Sequence, residues 1–177
     1  AETRSLLKLL ATRIQSVATV HGLQGRRAGS AILLVELMQA IAENACTLGA
    51  ASIETTAGAG QEGFHIKERE AVPVALILNE LVWNAIKHSM RKPPKIRVRI
   101  ESTRDGMVMI EICNDGTLGT HASDHQRLTG GIGLGLIRAL MPPQGATLTL
   151  VAEKDGVVAR LVLSSPVLDY QHLALAA

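Results

Sequence analysis

The stretch Val74–His88 constrains the fold more than any other part of the chain. It reads Val-Ala-Leu-Ile-Leu-Asn-Glu-Leu-Val-Trp-Asn-Ala-Ile-Lys-His. Apolar side chains lie nearly all round a helix of this sequence, so it must be packed on most of its sides. Yet Glu80, Asn84 and His88 recur at four-residue steps, with Lys87 beside them, and place one polar seam along that helix. A carboxylate and an amide buried there are costly unless partnered. The seam therefore faces either a polar site or a structural hydrogen-bond network, and the helix alone does not decide between them.

The chain has 177 residues, 47% of them hydrophobic, which is enough for one main domain around one core. Its 18 Lys+Arg against 16 Asp+Glu give a net charge of +2, which argues against broad nucleic-acid binding, and aromatics at 2% leave no platform for stacking bases. The one basic stretch, Arg91, Lys92, Lys95, Arg97 and Arg99, alternates with Ile96, Val98 and Ile100, the pattern of a strand with a solvated face. Residues 31–42 and 71–86 are the longest apolar stretches. Glu36, Asn79, Glu80 and Asn84 interrupt them well short of a bilayer span, so no membrane contact by this segment is expected. Cys46 and Cys113 are far apart, without metal or redox spacing, and are expected as buried reduced thiols of a cytoplasmic protein. The chain shows no secretory leader and opens on Ala1, which suggests a processed chain or a piece of a longer protein whose other parts could meet a membrane.

Periodicity predicts a helix over residues 3–20, with Leu6, Leu7, Leu10, Ile14 and Val17 on one side and Lys8, Arg13 and Gln15 on the other. Gly22 and Gly25 end it, and a second helix is expected from an N-cap at Ser30 to about Leu48. Short strands are expected near 52–56 and 63–66, then a long helix over 68–88. Two strand pairs follow, 95–103 with 107–113 and 147–153 with 157–163, turning at Arg104-Asp105-Gly106 and Lys154-Asp155-Gly156. A short helix ending near Met141 lies between them. Strands that come largely as hairpins favour an α+β mixed sheet with helices on one face.

Two further segments carry polar chemistry. Asn114-Asp115-Gly116 directly follows the strand 108–113, where oxygen acceptors at a strand end meet a turn; alone, such a tripeptide is ordinary turn sequence. Gly130, Gly131, Gly133 and Gly135 precede or open a helix, which frees backbone N–H groups to converge on phosphate oxygens or simply provides a hinge.

In this order and spacing, the three segments resemble the nucleotide-binding motifs of the GHKL ATPase superfamily, most closely the catalytic domain of sensor histidine kinases. Residues 78–88, Leu-Asn-Glu-Leu-Val-Trp-Asn-Ala-Ile-Lys-His, are similar to the asparagine box; Asn114-Asp115-Gly116 stands at the first glycine box, and Gly131-Ile132-Gly133-Leu134-Gly135-Leu136 resembles the second. The wording of the asparagine box resembles the second-HisKA or HWE-type subgroup, and Ala18-Thr19-Val20-His21-Gly22-Leu23 resembles the end of that subgroup's dimerisation hairpin.

The resemblance implies a Bergerat-type α/β sandwich over residues 25–177, preceded by the end of a helical dimerisation region over 1–24. It implies ATP and Mg²⁺ as ligands, with transfer of the γ-phosphoryl group to a histidine, a response regulator receiver domain as partner, and a homodimer in the full-length protein. Glu80 would activate the acceptor, Asn84 would hold Mg²⁺, and Lys87 and His88 would lie near the phosphates. Gly131, Gly133 and Gly135 would face the phosphates, residues 117–129 would form a lid, and Asn114, Asp115 and Gly116 would serve the adenine end. Trp83, where a smaller residue is usual, is expected to fill core space.

The first glycine box departs from the family pattern. Asn114 replaces the usual Asp, and Leu118 stands where a second glycine belongs, unless Gly119 is displaced by one. An amide can turn its oxygen toward adenine or its NH₂ toward guanine, and a one-residue shift would bring Asp115 to the base instead. His21 stands at a helix end before Gly22 and is not expected to be the phosphoacceptor, which is placed upstream of this chain; His65, His121, His125 and His172 have no metal-ligand spacing. The alternative is a non-catalytic module of the same fold, such as an anti-sigma partner-switching protein or a degenerate phosphotransfer scaffold.

Overall fold

The structure is a computed structural model and describes residues 2–25, 31–49, 51–58, 63–103, 105–117 and 131–170. Its helices are α1 (Glu2–Gln24), α2 (Leu34–Gly49), α3 (Glu68–His88) and α4 (Gly131–Leu140). The strands are β1 (Ile32–Leu33), β2 (Ser52–Ala57), β3 (Phe64–Ile66), β4 (Lys95–Ser102), β5 (Val108–Asn114), β6 (Ala146–Glu153), β7 (Gly156–Leu163) and β8 (Leu168–Tyr170).

Five strands form a mixed sheet in the order β2-β4-β5-β7-β6. The expected hairpins β4–β5 and β6–β7 are both present and antiparallel, while β2 pairs in parallel with β4. A parallel pair needs a long crossover. Here β3 and α3 supply it. Ile96, Val98, Ile100, Ile110, Ile112, Leu161 and Leu163 are buried with the apolar positions of α2 and α3. The register sets Arg99 opposite Glu111 and Glu111 opposite Arg160. Arg160 Nη2 and Nε lie 2.6 and 2.8 Å from Glu111 Oε1. Lys95, Arg97 and Arg99 are exposed and Ile96, Val98 and Ile100 buried, so the basic strand is a solvated face as expected.

Three features differ from the sequence expectations. β1 and β8, which are not among the expected strands, join β3 in a second sheet of order β1-β3-β8. Strands of two or three residues leave too little alternation to be legible, which is why β1 and β8 went unrecognised. The second helix begins at Leu34 after β1, and its expected cap Ser30 lies outside the described residues.

The third difference concerns α1, which packs against α3 and α2. Two residues of its apolar stripe do not face inward: Leu10 is 53% and Ile14 69% exposed. The buried positions are instead Thr12, Ser16 and Val20, and half-buried Arg13 turns toward α3. Small side chains let helices approach closely, whereas the Leu10 and Ile14 branches would hold them apart. The two faces should respond oppositely to truncation. Val20→Ala is expected to lower stability by about 2 kcal/mol and Ile14→Ala by less than about 0.5 kcal/mol, as read by denaturant unfolding.

Candidate nucleotide site

The seam on α3 runs from the interior to the surface. Asn79 and Glu80 are 5% and 3% exposed, Asn84 is half-buried, and Lys87 and His88 are exposed in the last turn. The Lys87 ammonium suits the negative end of the helix dipole. Trp83 packs against the core and lines a small cleft with Ile41 and Leu48 of α2 and Thr12 of α1, so it fills space as expected.

Glu80 and Asn84 meet α4 at Gly133. A Cβ on Gly133 would lie 2.7 Å from Glu80 Oε2 and 3.5 Å from Asn84 Oδ1, so the first turn of α4 stands close to both oxygens and a side chain there would displace the Glu80 carboxylate. At Gly135 a Cβ would meet nothing within 4 Å. Gly131 is the first residue of α4, a ten-residue helix whose first four N–H groups have no partner within the helix itself. An amide oxygen and a carboxylate oxygen beside a helix N-terminus form a hard-oxygen, anion-tolerant setting, which fits a Mg²⁺–phosphate group. Of the expected lid only Thr117 is described; the rest, with Leu118, Gly119, His121, His125 and Gly130, lies outside the described residues, as does His172.

The loop after β5 closes on the other end of α3. Asn114 Nδ2 donates to the Ala85 carbonyl at 2.9 Å, and the Gly116 N–H donates to Asn114 Oδ1 at 3.3 Å. Gly116 packs so closely on the His88 carbonyl that a side chain there would collide with it. Both ends of the Asn114 amide are thus held, which overturns the expectation of a freely turning group. A flipped amide would set donor against donor and acceptor against acceptor. Each end keeps one further valence for a ligand.

Asp115 spends both oxygens on residues 89–91. Oδ1 accepts from Ser89 Oγ at 2.6 Å and the Met90 N–H at 3.0 Å; Oδ2 accepts from the Arg91 N–H at 3.1 Å and pairs with Arg91 Nε at 3.3 Å. The Ser89 hydrogen bond, above all, holds the Asp115 carboxyl below its ordinary range, with the Met90 N–H adding to it. Its geometry serves the end of α3. Ser89 is a partner that the sequence reading missed. Its only sequence signal is a hydroxyl one residue past the helix end.

A second missed residue is Arg13, which the sequence places on the outer side of α1. Its Nε lies 2.9 Å from Glu80 Oε1. The signal that could have found it is the spacing Thr12, Ser16, Val20, a narrow stripe compatible with close helix contact and overshadowed by the leucines. Cys46 and Cys113 are free and only half-buried; burial, then the nearby Glu111 charge, push the Cys113 thiol up.

A mixed sheet backed by helices, with α3 and the α4 N-terminus joined at Glu80, Asn84 and Gly133, is the framework of the GHKL ATPase class. The family profile described as the histidine kinase-like ATPase domain matches residues 40–143, more than half of the chain. The chain belongs to that family. Among solved structures it is similar to the histidine kinase domain of the Erythrobacter litoralis EL346 blue-light activated histidine kinase, at 14% identity and TM-score 0.69 over 88% of this chain and 74% of that one. Against another structure of that kinase the identity is 16% and the TM-score 0.70 over 90% of this chain, which spans only 49% of the longer one. The catalytic domain of histidine kinase ThkA matches at 17% identity and TM-score 0.60, over 76% of this chain and 94% of that one. No curated protein gives a significant sequence match.

Two substitutions test the loop. Asn114→Asp would point a carboxylate at the Ala85 carbonyl, and is expected to cost about 1–3 kcal/mol near neutral pH. Its folded pKa would be raised, so the loss should be full above that pKa and shrink toward pH 4 as the carboxyl takes a proton. Asp115→Asn has the opposite profile. The depressed pKa of Asp115 means that its stabilisation is present above the ordinary carboxylate range and lost as pH falls through the folded value. Melting of wild type and variant should therefore differ most above about pH 5 and converge in acid.

Proposed function

We propose that this chain is the ATP-binding catalytic part of a two-component sensor histidine kinase, transferring the γ-phosphoryl group of ATP to a histidine outside the chain. The single observation that carries this is the convergence of Glu80, Asn84 and Gly133 from two distant sequence segments. Phosphoryl transfer asks a protein for positioning and charge neutralisation rather than covalent help. When bound, Mg²⁺ would neutralise charge on the phosphate oxygens. Asn84 would hold it through Oδ1, and the backbone of Gly131, Gly133 and Gly135 would face the phosphates, with Lys87 and His88 adding positive or polar character at the exposed end of the seam. Glu80 would take or polarise the proton of the attacking acceptor nitrogen. Asn114 would read the adenine edge with the one lone pair and one N–H left to it, while Asp115 and Gly116 hold the loop against α3.

Residues 1–24 would be the end of a dimerisation region of the HWE or second-HisKA type, and residues 25–177 the ATP-binding domain. The exposed Leu10 and Ile14 support pairing with a second copy in the full-length protein. Among the described residues no helix is long and apolar enough to cross a membrane, in keeping with a cytoplasmic segment that meets ATP and a receiver domain. The engaged Asn114 amide gives some support to a second reading, a non-catalytic module of the same fold.

Nucleotide titration separates the two. Mg-ATP binding is expected, and Asn84→Ala should weaken it by about tenfold or more while leaving the melting temperature of the nucleotide-free chain within a few degrees. A large loss of nucleotide-free stability with unchanged affinity would make Asn84 structural. Absence of Mg-ATP binding in the wild-type chain would favour the non-catalytic module.

A further inference from the structure

The five-stranded sheet ends on β6, which pairs with β7 on one side and, among the described residues, with no strand on the other. A free edge presents a row of unpaired N–H and C=O groups, and it is normally guarded by a lysine, a proline, a bulge or short length. β6 has none of these. It is eight residues long, its register with β7 runs unbroken from Ala146 to Glu153, and the stretch from Ala146 to Ala152 contains neither charge nor proline. The opposite edge, β2, is shorter and carries Glu54 near its middle.

The sequence of β6 is also complementary to itself. Residues directly opposite across two strands share a face, so an antiparallel copy can pair only in registers that keep Thr149 and Leu150 on their own sides of the sheet. A register centred on Thr149 sets Thr149 against its own copy, Leu148 against Leu150 and Thr147 against Val151, and leaves Glu153 beyond the paired stretch. No charge meets a like charge there. Leu148 and Leu150 pack only partly against the core, so a second strand would cover apolar surface that they still expose. On the other face Thr149 stands opposite Arg160, whose guanidinium is already held by Glu111.

We propose that β6 is a docking edge for a second copy of this chain. Two sheets of five strands join antiparallel about a two-fold axis at Thr149 into one sheet of ten, with the helices of both copies on the same side. An edge of this length buries little area beside the interface of a stable dimer, so the association is weak and concentration-dependent. It is separate from the exposed Leu10 and Ile14 of α1 and does not rest on nucleotide binding.

Sedimentation equilibrium of the full chain is the test. The apparent mass should rise from 18.8 kDa toward twice that value between about 10 and 1000 µM. Thr149→Lys sets two ammonium groups against each other at the axis and should keep the chain monomeric throughout with its melting unchanged, while Ile14→Lys should leave the association as it is. Under mild oxidation, Thr149→Cys should form an intermolecular disulfide about tenfold faster or more than wild type or Ala152→Cys. Opposite Cα atoms at the axis approach to about 4.5–5.5 Å, whereas the two copies of residue 152 would lie about 20 Å apart. Should Thr149→Lys melt early, the crosslink decides, because a thiol replacing an exposed Thr149 hydroxyl barely perturbs the fold. A wild-type chain that is monomeric at every concentration, its edge left bare or covered by its own chain, would overturn the proposal. So would a disulfide at position 149 no faster than at 152, or an association lost in Ile14→Lys and kept in a folded Thr149→Lys, which would assign the contact to α1.

Discussion

A carboxylate buried in an apolar helix governs the arrangement of this molecule. Glu80 is 3% exposed between Asn79 and Leu81, which are themselves buried. Burying an ion costs several kcal/mol unless other groups compensate, so the surroundings of α3 must supply them. Arg13 does so from α1, and α4 brings its N-terminal turn close through Gly133. The polar seam left open by the helix sequence is thus resolved into three zones: a buried end held by Arg13, a middle at Asn84 beside α4, and an exposed end at Lys87 and His88.

The same helix explains the departure at Asn114. Ala85 has one of the last four carbonyls of α3, groups that a helix cannot satisfy fully within itself. Asn114 donates to it, and Asp115 accepts the N–H groups of Met90 and Arg91 just beyond the helix end. The pair divides the work by chemistry, with the donor-bearing side chain on the carbonyl and the acceptor on the N–H groups. A carboxylate at 114 would face a carbonyl at the negative end of the helix dipole, so the amide suits this loop whatever it does for a base.

The sheet and α3 were legible because their patterns are long. The alternation of Lys95 to Ser102 and the run of apolar residues around Glu80 each extend far enough to fix period and face. The motif residues were legible because their spacing matches a family. What the sequence hid was orientation. β1 and β8 are too short to show a period, and the holding of Asn114 depends on Ala85, 29 positions away in the chain.

The first helix shows why orientation is hidden. Leu6, Leu7, Leu10, Ile14 and Val17 announce an apolar face, and burial is normally where such a face goes. A stripe reports that a surface is to be covered, not by what. Here α3 takes the narrower face of Thr12, Ser16 and Val20, because a charged side chain at Glu80 demands Arg13, which shares that side of the helix. Desolvating Leu10 instead would gain roughly 1.5–3 kcal/mol, whereas leaving Glu80 buried and unpaired costs roughly 3–5 kcal/mol. The electrostatic demand of one carboxylate therefore outweighs the apolar preference of the helix and leaves Leu10 and Ile14 exposed.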